Sequence, residues 1–315
     1  MAAGSPVLIT SNNLLICNAC GTQFPVEEGQ AKEECKICDP QDPRQFVPPE
    51  GQTFTTLATL RQNHKNIWWQ DKRHPYIWSV RTEPKFAISN RAELIQTPHG
   101  NVLMDLIPFL DQETIDRIMD LGGLEAIVIS HPHYYSTWAD WSRTFKCPIY
   151  VGTPDKEWLE RLDTPDAEIR FLPELSTPIL LRDKDIGMNA IVTGGHFPGS
   201  LLLHYKDVLF IADTIFAVPS ATDPVPGRPG KISFTFWYSV PNRIPLDPDE
   251  MLRIWRIVKD LDFQTAIGAF EGMDIYTMDN EKGRTGGVKG RILESCRITT
   301  KAMGWKEHAI FSESS

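Results

Sequence analysis

Long apolar runs and clusters of basic residues are missing from this chain of 315 residues. No apolar segment approaches the roughly 18 residues that a membrane-spanning helix requires. Lys and Arg number 32 against 41 Asp and Glu, for a net charge of −9, and no basic block offers the clustered charge that binds phosphate backbones. Residues 1–10 have neither the basic part nor the long apolar part of a secretory signal. We therefore expect a soluble, cytoplasmic protein that acts on a small molecule and binds neither nucleic acid nor a membrane.

Cysteine is scarce, at six residues, but most of the cysteines are closely spaced. Two C-x2-C pairs stand fourteen residues apart, and their members are Cys17, Cys20, Cys35 and Cys38. In a reducing compartment this spacing indicates a metal site, because four thiolates can close a tetrahedral shell around zinc. We predict a structural zinc ribbon in residues 1–45, followed by a second domain in residues 46–315. A rubredoxin-like iron site or a redox dithiol remains an alternative for the same cysteines.

Two histidines one residue apart follow an apolar run in the middle of the chain. Residues 124–129 predict a buried strand, and residues 135–145 predict a helix. His131 and His133 lie between them, where a strand leaves its sheet. Active sites of α/β proteins are usually found at such carboxyl ends, and an H-x-H pair can offer two imidazoles to one ion.

Strands and helices alternate on both sides of this motif, which predicts an α/β protein. Trp138 and Trp141 on the helix after the motif should face the core, whereas Asp140 should be solvated. The remaining predicted helices cover residues 52–64, 111–121, 248–260 and 288–303, and a further helix is predicted to begin at Thr153. The predicted strands include residues 92–96, 101–105, 147–151, 201–205 and 208–211, and a last strand at 263–270.

Two later segments complete a recognisable pattern. The sequence GGHFPGS at residues 194–200 contains His196, and a strand ending in Ile-Ala-Asp leads to Asp213. With the earlier H-x-H pair, this order resembles the metallo-β-lactamase superfamily over residues 85–270. It most resembles the subgroup with the motif HPHYY and a preceding four-cysteine pair. The resemblance implies an αββα sandwich with a metal site at one edge, held by His131, His133, His196 and Asp213.

The chain also departs from the family pattern. Tyr135 stands where the family has its motif aspartate, and Ser136 stands where the next histidine would follow. Near the position of the last family histidine the sequence is Phe270-Glu271-Gly272. A second metal site would therefore lack its usual ligands. We expect a mononuclear site.

Three imidazoles on one zinc leave a coordination position open. Zinc held in this way lowers the pKa of bound water to about 7 and polarises a carbonyl. This chemistry suits hydrolysis of an ester, lactone, lactam or thioester. Asp213 could ligate the metal or serve as the base, and Tyr134 or Tyr135 could donate a hydrogen bond to the reacting oxygen or pack under the site. Asp105 is expected to orient a histidine or the backbone near the site.

The substrate is expected to be small and apolar or aromatic. The aromatic run at residues 234–238 and the Pro- and Gly-rich loop at 218–230 could wall an apolar pocket. Trp69, Tyr238 and Glu271 are the candidate substrate contacts.

Two other functions remain open at this stage. His131, His196 and Asp213 could form the two-histidine, one-carboxylate triad of a mononuclear iron oxygenase, as in the persulfide dioxygenase branch of the family. Alternatively, the loss of ligands could leave a non-catalytic binding or scaffold protein with a degenerate site. Survival of all four matching ligands favours an enzyme.

Overall fold

The computed structural model of the protein describes residues 6–39, 41–45, 47, 49, 51–173, 176–222, 232–277 and 287–315. Within these ranges no helix is long and apolar enough to span a membrane. The predicted loop at 218–230 and the glycine-rich connection before the last helix lie largely outside the described residues.

The four-cysteine segment (residues 14–55) is built on a small antiparallel sheet. Its strands are β1 (Leu14–Cys17), β2 (Gln23–Glu27) and β3 (Phe54–Thr55), in the order β2-β1-β3. A 3₁₀ turn at Lys36–Cys38 carries the second cysteine pair. Because β3 follows residue 45, the sheet of this segment extends past the predicted domain boundary.

The first large sheet has seven strands in the order β10-β9-β8-β7-β6-β5-β4. Strands β7 to β10 are parallel, and β4 to β7 form an antiparallel meander. The bounds are β4 Lys65–Gln70, β5 Ile77–Glu83, β6 Ala92–Thr97, β7 Gly100–Met104, β8 Ala126–Val128, β9 Ile149–Gly152 and β10 Ile169–Leu172.

The second large sheet has six strands in the order β11-β12-β13-β14-β19-β20. Its strands are β11 Ser176–Leu181, β12 Lys184–Val192, β13 Leu201–Tyr205, β14 Val208–Phe210, β19 Thr265–Ile267 and β20 Ile275–Tyr276. Two short pairs complete the strands: β15 Phe216–Ala217 with β16 Phe234–Thr235, and β17 Trp237–Ser239 with β18 Ile244–Pro245. The strand predicted as the last, at 263–270, is therefore shorter than expected and is followed by β20.

The helices begin at recognisable caps. Asp111 accepts a hydrogen bond from the backbone of Thr114, and Asp247 accepts one from Glu250, so both carboxylates satisfy N–H groups of a first helical turn. The segment beginning at Thr153 is a 3₁₀ helix, Thr153–Trp158. The α-helices are α1 Leu57–Leu60, α2 Gln112–Asp120, α3 Trp138–Phe145, α4 Pro219–Thr222, α5 Pro248–Val258 and α6 Gly287–Ala302.

Three apolar layers hold the sandwich together. One lies between the two large sheets and includes Val128 and Leu203. A second packs α2 and α3 on the outer face of the seven-stranded sheet, and a third packs α5 and α6 on the outer face of the six-stranded sheet. This arrangement is the expected αββα sandwich.

Asp140 on α3 is the clear error among the predicted burial patterns. Its side chain is 0% exposed, and it pairs with Arg161 at 2.9 Å between Oδ1 and Nη1. Ser11 donates from both its backbone nitrogen, at 2.9 Å, and its hydroxyl, at 3.1 Å. The aspartate is not solvated because it fastens the N-terminal arm to the domain.

Candidate metal centres and cavity

The four cysteines converge in the interior of the four-cysteine segment. The sulfur atoms of Cys17 and Cys38 are 3.9 Å apart, those of Cys20 and Cys35 are 3.7 Å apart, and all four are buried and free of disulfides. Sulfurs about 2.3 Å from a tetrahedral zinc would be separated by about 3.8 Å. The cluster therefore fits a tetrahedral ion, and a bound cation would offset the cost of burying thiolates.

The second cluster is assembled where three strands end. His131 follows β8 through two residues of extended chain, and the 3₁₀ turn Pro132–Tyr134 then directs His133 to the same place. His196 follows β12 through a glycine pair, and Asp213 follows β14. Gly195 has a φ of +99°, and a Cβ there would lie 2.8 Å from Thr214. The turn that delivers His196 therefore requires glycine.

The four side chains of this cluster lie close enough to hold one ion. One ligand atom from each of His131, His133, His196 and Asp213 lies within 4.8 Å of all the others. Nε2 of His196 is 3.0 Å from Nδ1 of His133, and Nε2 of His131 is 3.6 Å from Oδ2 of Asp213. Nitrogen or oxygen donors on a tetrahedral zinc are expected about 3.3 Å apart.

An unpaired buried nitrogen supports the same conclusion. Nε2 of His131 is shielded from solvent and has no hydrogen-bond partner within the described part of the chain. Buried polar atoms are normally paired, so an unpaired nitrogen that faces a carboxylate calls for a missing partner. A metal ion is such a partner, and the residues present fit one.

Neighbouring groups set the orientation of two of the histidines. Nδ1 of His131 is 2.8 Å from Oγ of Ser130, whose backbone nitrogen donates to Asp105 at 2.7 Å. Nδ1 of His196 is 2.8 Å from the backbone oxygen of Tyr238, which fixes its proton on that side and leaves Nε2 as a lone-pair donor. Asp105 therefore holds the backbone next to His131, which is one of the two roles expected for it.

Burial keeps the ligands in the protonation states that metals bind. It lowers the pKa of His196 to about 3, and it also lowers the pKa of His133, with the neighbouring imidazoles adding to the effect. Burial alone would raise the pKa of Asp213, but its contacts with His131 outweigh this and lower the pKa. His133 and His196 are therefore neutral imidazoles, and Asp213 is an ionised carboxylate, at neutral pH.

The two tyrosines of the motif have different positions. The hydroxyl of Tyr134 donates to Oδ1 of Asp213 at 2.9 Å, and its ring lies 4.3 Å from that of His131. The hydroxyl of Tyr135 instead points to the backbone oxygen of Asp155 at 3.4 Å, within the apolar layer under α3. Burial raises the pKa of both phenols, so both remain protonated. Tyr134 contacts the ligand set, and Tyr135 packs under it.

The positions of a second metal carry no alternative ligands. Tyr135 and Ser136 are both buried, and the backbone oxygen of Ser136 accepts a hydrogen bond from Gln23 of β2 at 3.2 Å. Across the described ranges, the two clusters above are the groups of three or more His, Cys, Asp or Glu side chains arranged to hold an ion.

A cavity of about 360 Å³ opens above the His–Asp cluster. His133 and Asp213 contribute to its lining, together with residues from five other parts of the chain. The rest of the described lining is mainly apolar: Asn18, Ala19, Gln45, Ala87, Ile88, Val240, Pro241 and Phe270.

The three predicted substrate contacts are dispersed. Tyr238 is next to the site, since its backbone oxygen contacts His196 and its hydroxyl donates to Asp42 at 3.3 Å. Glu271 is exposed at the surface, with Oε2 3.3 Å from Nε of Arg81. Trp69 lies on β4, the edge strand of the seven-stranded sheet, opposite Ser79. Neither Glu271 nor Trp69 is among the described residues that line the cavity.

Two supporting residues were missed in the sequence. Arg44 donates from Nε to the backbone oxygen of His196 at 3.1 Å, and its guanidinium lies 4.9 Å from the ring of Phe197. Asp155 accepts a hydrogen bond from the backbone of Gly199 at 2.6 Å and so fixes the turn after His196. Both reach the site from distant parts of the chain, and no local pattern distinguishes them.

Comparisons with known proteins agree with this architecture. The sequence model of the metallo-β-lactamase superfamily matches residues 94–241, which include all four candidate ligands. The uncharacterised protein YmaE of Bacillus subtilis (strain 168) is 39% identical over 263 residues, covering 81% of this chain and 88% of that protein.

Solved structures show the same fold at low sequence identity. DIM-1 metallo-β-lactamase exposed to ceftazidime aligns with a TM-score of 0.50 and 13% identity, covering 75% of this chain and 97% of that one. TMB-1 aligns with a TM-score of 0.50 and 12% identity, covering 76% of this chain and 98% of that one. With its sandwich fold, its ligand positions and these matches, the chain belongs to the metallo-β-lactamase superfamily.

Proposed function

We propose that this protein is a hydrolase that uses a single zinc ion at the His–Asp cluster, with a second zinc in the four-cysteine segment for stability. The observation that carries the proposal is the convergence of four buried ligand atoms within 4.8 Å of one another at the base of an open cavity. A zinc ion in this site would polarise a carbonyl and supply a nucleophile at neutral pH. The reaction would cleave an ester, lactone, lactam or thioester.

The protein's own groups would hold the reacting centre in a fixed geometry. Hydrogen bonds from His131 to Ser130 and from His196 to the backbone of Tyr238 would fix both ring orientations. The hydroxyl of Tyr134 would hold Asp213 through Oδ1 and leave Oδ2 toward the ligand cluster. Asp213 is the carboxylate of the described lining, so it is our candidate for accepting a proton as well as for binding the metal.

The lining of the cavity favours a small, neutral and apolar substrate. Ile88, Val240 and Phe270 provide apolar surface, and no Lys or Arg belongs to the described lining. A carboxylate or phosphate on the substrate would therefore lack a cationic partner there. The volume of about 360 Å³ is near the lower end of the roughly 300–1,000 Å³ typical of small-molecule sites.

The test combines a substrate panel with control of oxygen. Purified protein would be assayed with aryl esters, small lactones, lactams and thioesters, in air and under argon. We expect hydrolysis of at least one class at the same rate in both atmospheres. The double variant His131→Ala, His133→Ala should fall to background, while His99→Ala, which changes an exposed turn histidine, should retain activity.

Two results would overturn the proposal. Oxygen consumption together with iron that the double variant loses would assign the mononuclear iron oxygenase, with His131, His196 and Asp213 as its triad. Absence of turnover together with absence of metal at the His–Asp cluster would favour a binding or scaffold role.

A further inference from the structure

The wall of the cavity includes residues from the four-cysteine segment. Asn18 and Ala19, the two residues between Cys17 and Cys20, line the same space as His133 and Asp213. A segment that would otherwise serve only for stability therefore contributes surface to the candidate active site. We call this dipeptide the knuckle tip.

The knuckle tip is held rigidly from within its own segment. The backbone nitrogen of Gly21 donates to Cys17 at 2.8 Å, and that of Cys17 donates to Thr22 at 2.9 Å, which closes the turn. Asn18 is tied to Thr53 twice, through its backbone at 3.0 Å and its side-chain amide at 2.8 Å. Two cysteines of the metal cluster flank the tip, so an ion bound there would fix the turn further.

The segment also docks directly on the chain that carries the ligands. A Cβ added at Gly21 would lie 2.4 Å from Pro108, so this turn is pressed against the loop after β7. Pro108 accepts a hydrogen bond from Thr137 at 3.0 Å, and the backbone nitrogen of Gln23 donates to Ser136 at 3.2 Å. Ser136 and Thr137 come just after the H-x-H pair in the chain. The position of the tip is thereby coupled to that of the histidines.

One side chain contacts both the four-cysteine segment and the cavity. Ile88 packs against the apolar interior around the four cysteines and also lines the cavity. Ala19, which lines the same cavity, is half-buried and small, so the space in front of it depends on the absence of a larger side chain.

We propose that the knuckle tip is the specificity-determining wall of the active site, with Ala19 setting the size of the group that fits beside the metal. The inference rests on the proposed function, because it assigns the limit to a substrate of that same site. A metal in the four-cysteine segment would then have a second role, since it would shape the substrate pocket as well as stabilise the fold.

The test uses two metal-chelating probes that differ only in size, acetohydroxamate and phenylacetohydroxamate. Their binding to the zinc-loaded protein and its variants would be measured by calorimetry, without any need for turnover. Ala19→Trp should weaken binding of the phenyl probe by about tenfold or more, because the indole would occupy its space, and should leave acetohydroxamate within about twofold. Ala19→Leu should have the same effect to a smaller degree.

The matched control is Ala31→Trp, which places the same side chain on an exposed part of the same segment. It should bind both probes as the native protein does, and zinc content should be unchanged in every variant. Equal binding of the phenyl probe by native protein and both Ala19 variants would overturn the specificity wall and leave the hydrolase proposal standing. Failure of the native protein to bind either probe would contradict the open metal position and both proposals with it.

Discussion

The phenol of Tyr134 donates a 2.9 Å hydrogen bond to Oδ1 of Asp213, while Oδ2 of the same carboxylate faces Nε2 of His131 at 3.6 Å. One oxygen is thus held by the protein, and the other is directed toward the ligand cluster. Carboxylate ligands are commonly positioned in this way by a second hydrogen bond. Tyr134 is therefore a positioning residue, and Tyr135, its neighbour in the chain, has no such contact.

Replacing Tyr134 with Phe should weaken metal binding at the His–Asp cluster. The change removes one hydrogen bond to a buried carboxylate, and losses of this kind typically reduce metal affinity by about 10- to 100-fold. Competition with a chelator would measure the affinity of the His–Asp cluster for zinc. Tyr135→Phe is the matched control and should shift the affinity by less than about twofold. Equal losses in the two variants would show that the effect is general destabilisation.

Replacing Cys20 with Ser should remove one zinc and destabilise the protein. The variant would break the four-thiolate shell of a segment that has little apolar core of its own. We expect a loss of more than about 4 kcal/mol in the free energy of unfolding, measured with urea, because metal binding contributes directly to folding. Cys147→Ser changes a buried thiol outside the cluster and should retain both zinc ions. Full zinc content in Cys20→Ser would contradict the four-thiolate assignment.

Replacing Asp155 with Asn should remove a pH-dependent loss of stability. Burial raises the pKa of Asp155 from 3.8 to about 7, so the folded protein favours the protonated carboxyl. The protonated carboxyl of Asp155 makes its full contribution to the free energy of unfolding below about pH 4. That contribution falls by roughly 1.4 kcal/mol per pH unit as the pH rises to about 7. Denaturation between pH 4 and 8 should show this slope as the difference between native protein and Asp155→Asn.

The stability of Asp155→Asn must be subtracted from that of the native protein at each pH, because the buried imidazoles change stability with pH in the opposite direction. The pKa of His196 is lowered from 6.5 to about 3, so its stabilising effect is present above pH 6.5 and is lost as the pH falls toward 3. Asp163→Asn, at an exposed position, is the control and should follow the native curve. A slope that is identical in native protein and Asp155→Asn would rule out the assignment to Asp155.

Local pattern singled out the H-x-H pair, and the family resemblance added His196 and Asp213 to the candidate ligands. His131 and His133 follow a buried strand, and His196 follows two glycines at positive φ, a conformation that other residues rarely adopt. The motif and the geometry therefore have the same physical origin. The four cysteines were found in the same way, since their spacing is set by the turns that a tetrahedral site needs. The family resemblance then supplied the order of the layers.

Long-range pairing is what the sequence did not reveal. Asp140 is buried because Arg161 and the N-terminal Ser11 reach it from 21 and 129 residues away. Arg44, at the end of the segment predicted as the ribbon, contacts the backbone of His196 across 152 residues. Glu271 was chosen for its place beside a vacated ligand position, but its pairing with Arg81 holds it at the surface. Each of these contacts depends on tertiary packing that no local pattern encodes.

The central claim is that one metal is held by the four cysteines and one by the His–Asp cluster. Elemental analysis of metal per chain tests it most directly, on the native protein and on the double variant His131→Ala, His133→Ala side by side. The four-cysteine cluster and the His–Asp cluster together predict about two zinc ions in the native protein and about one in the variant, with the cysteine-bound ion retained. One zinc in both proteins would mean that only the four-cysteine segment is loaded, and would contradict a metal-dependent active site.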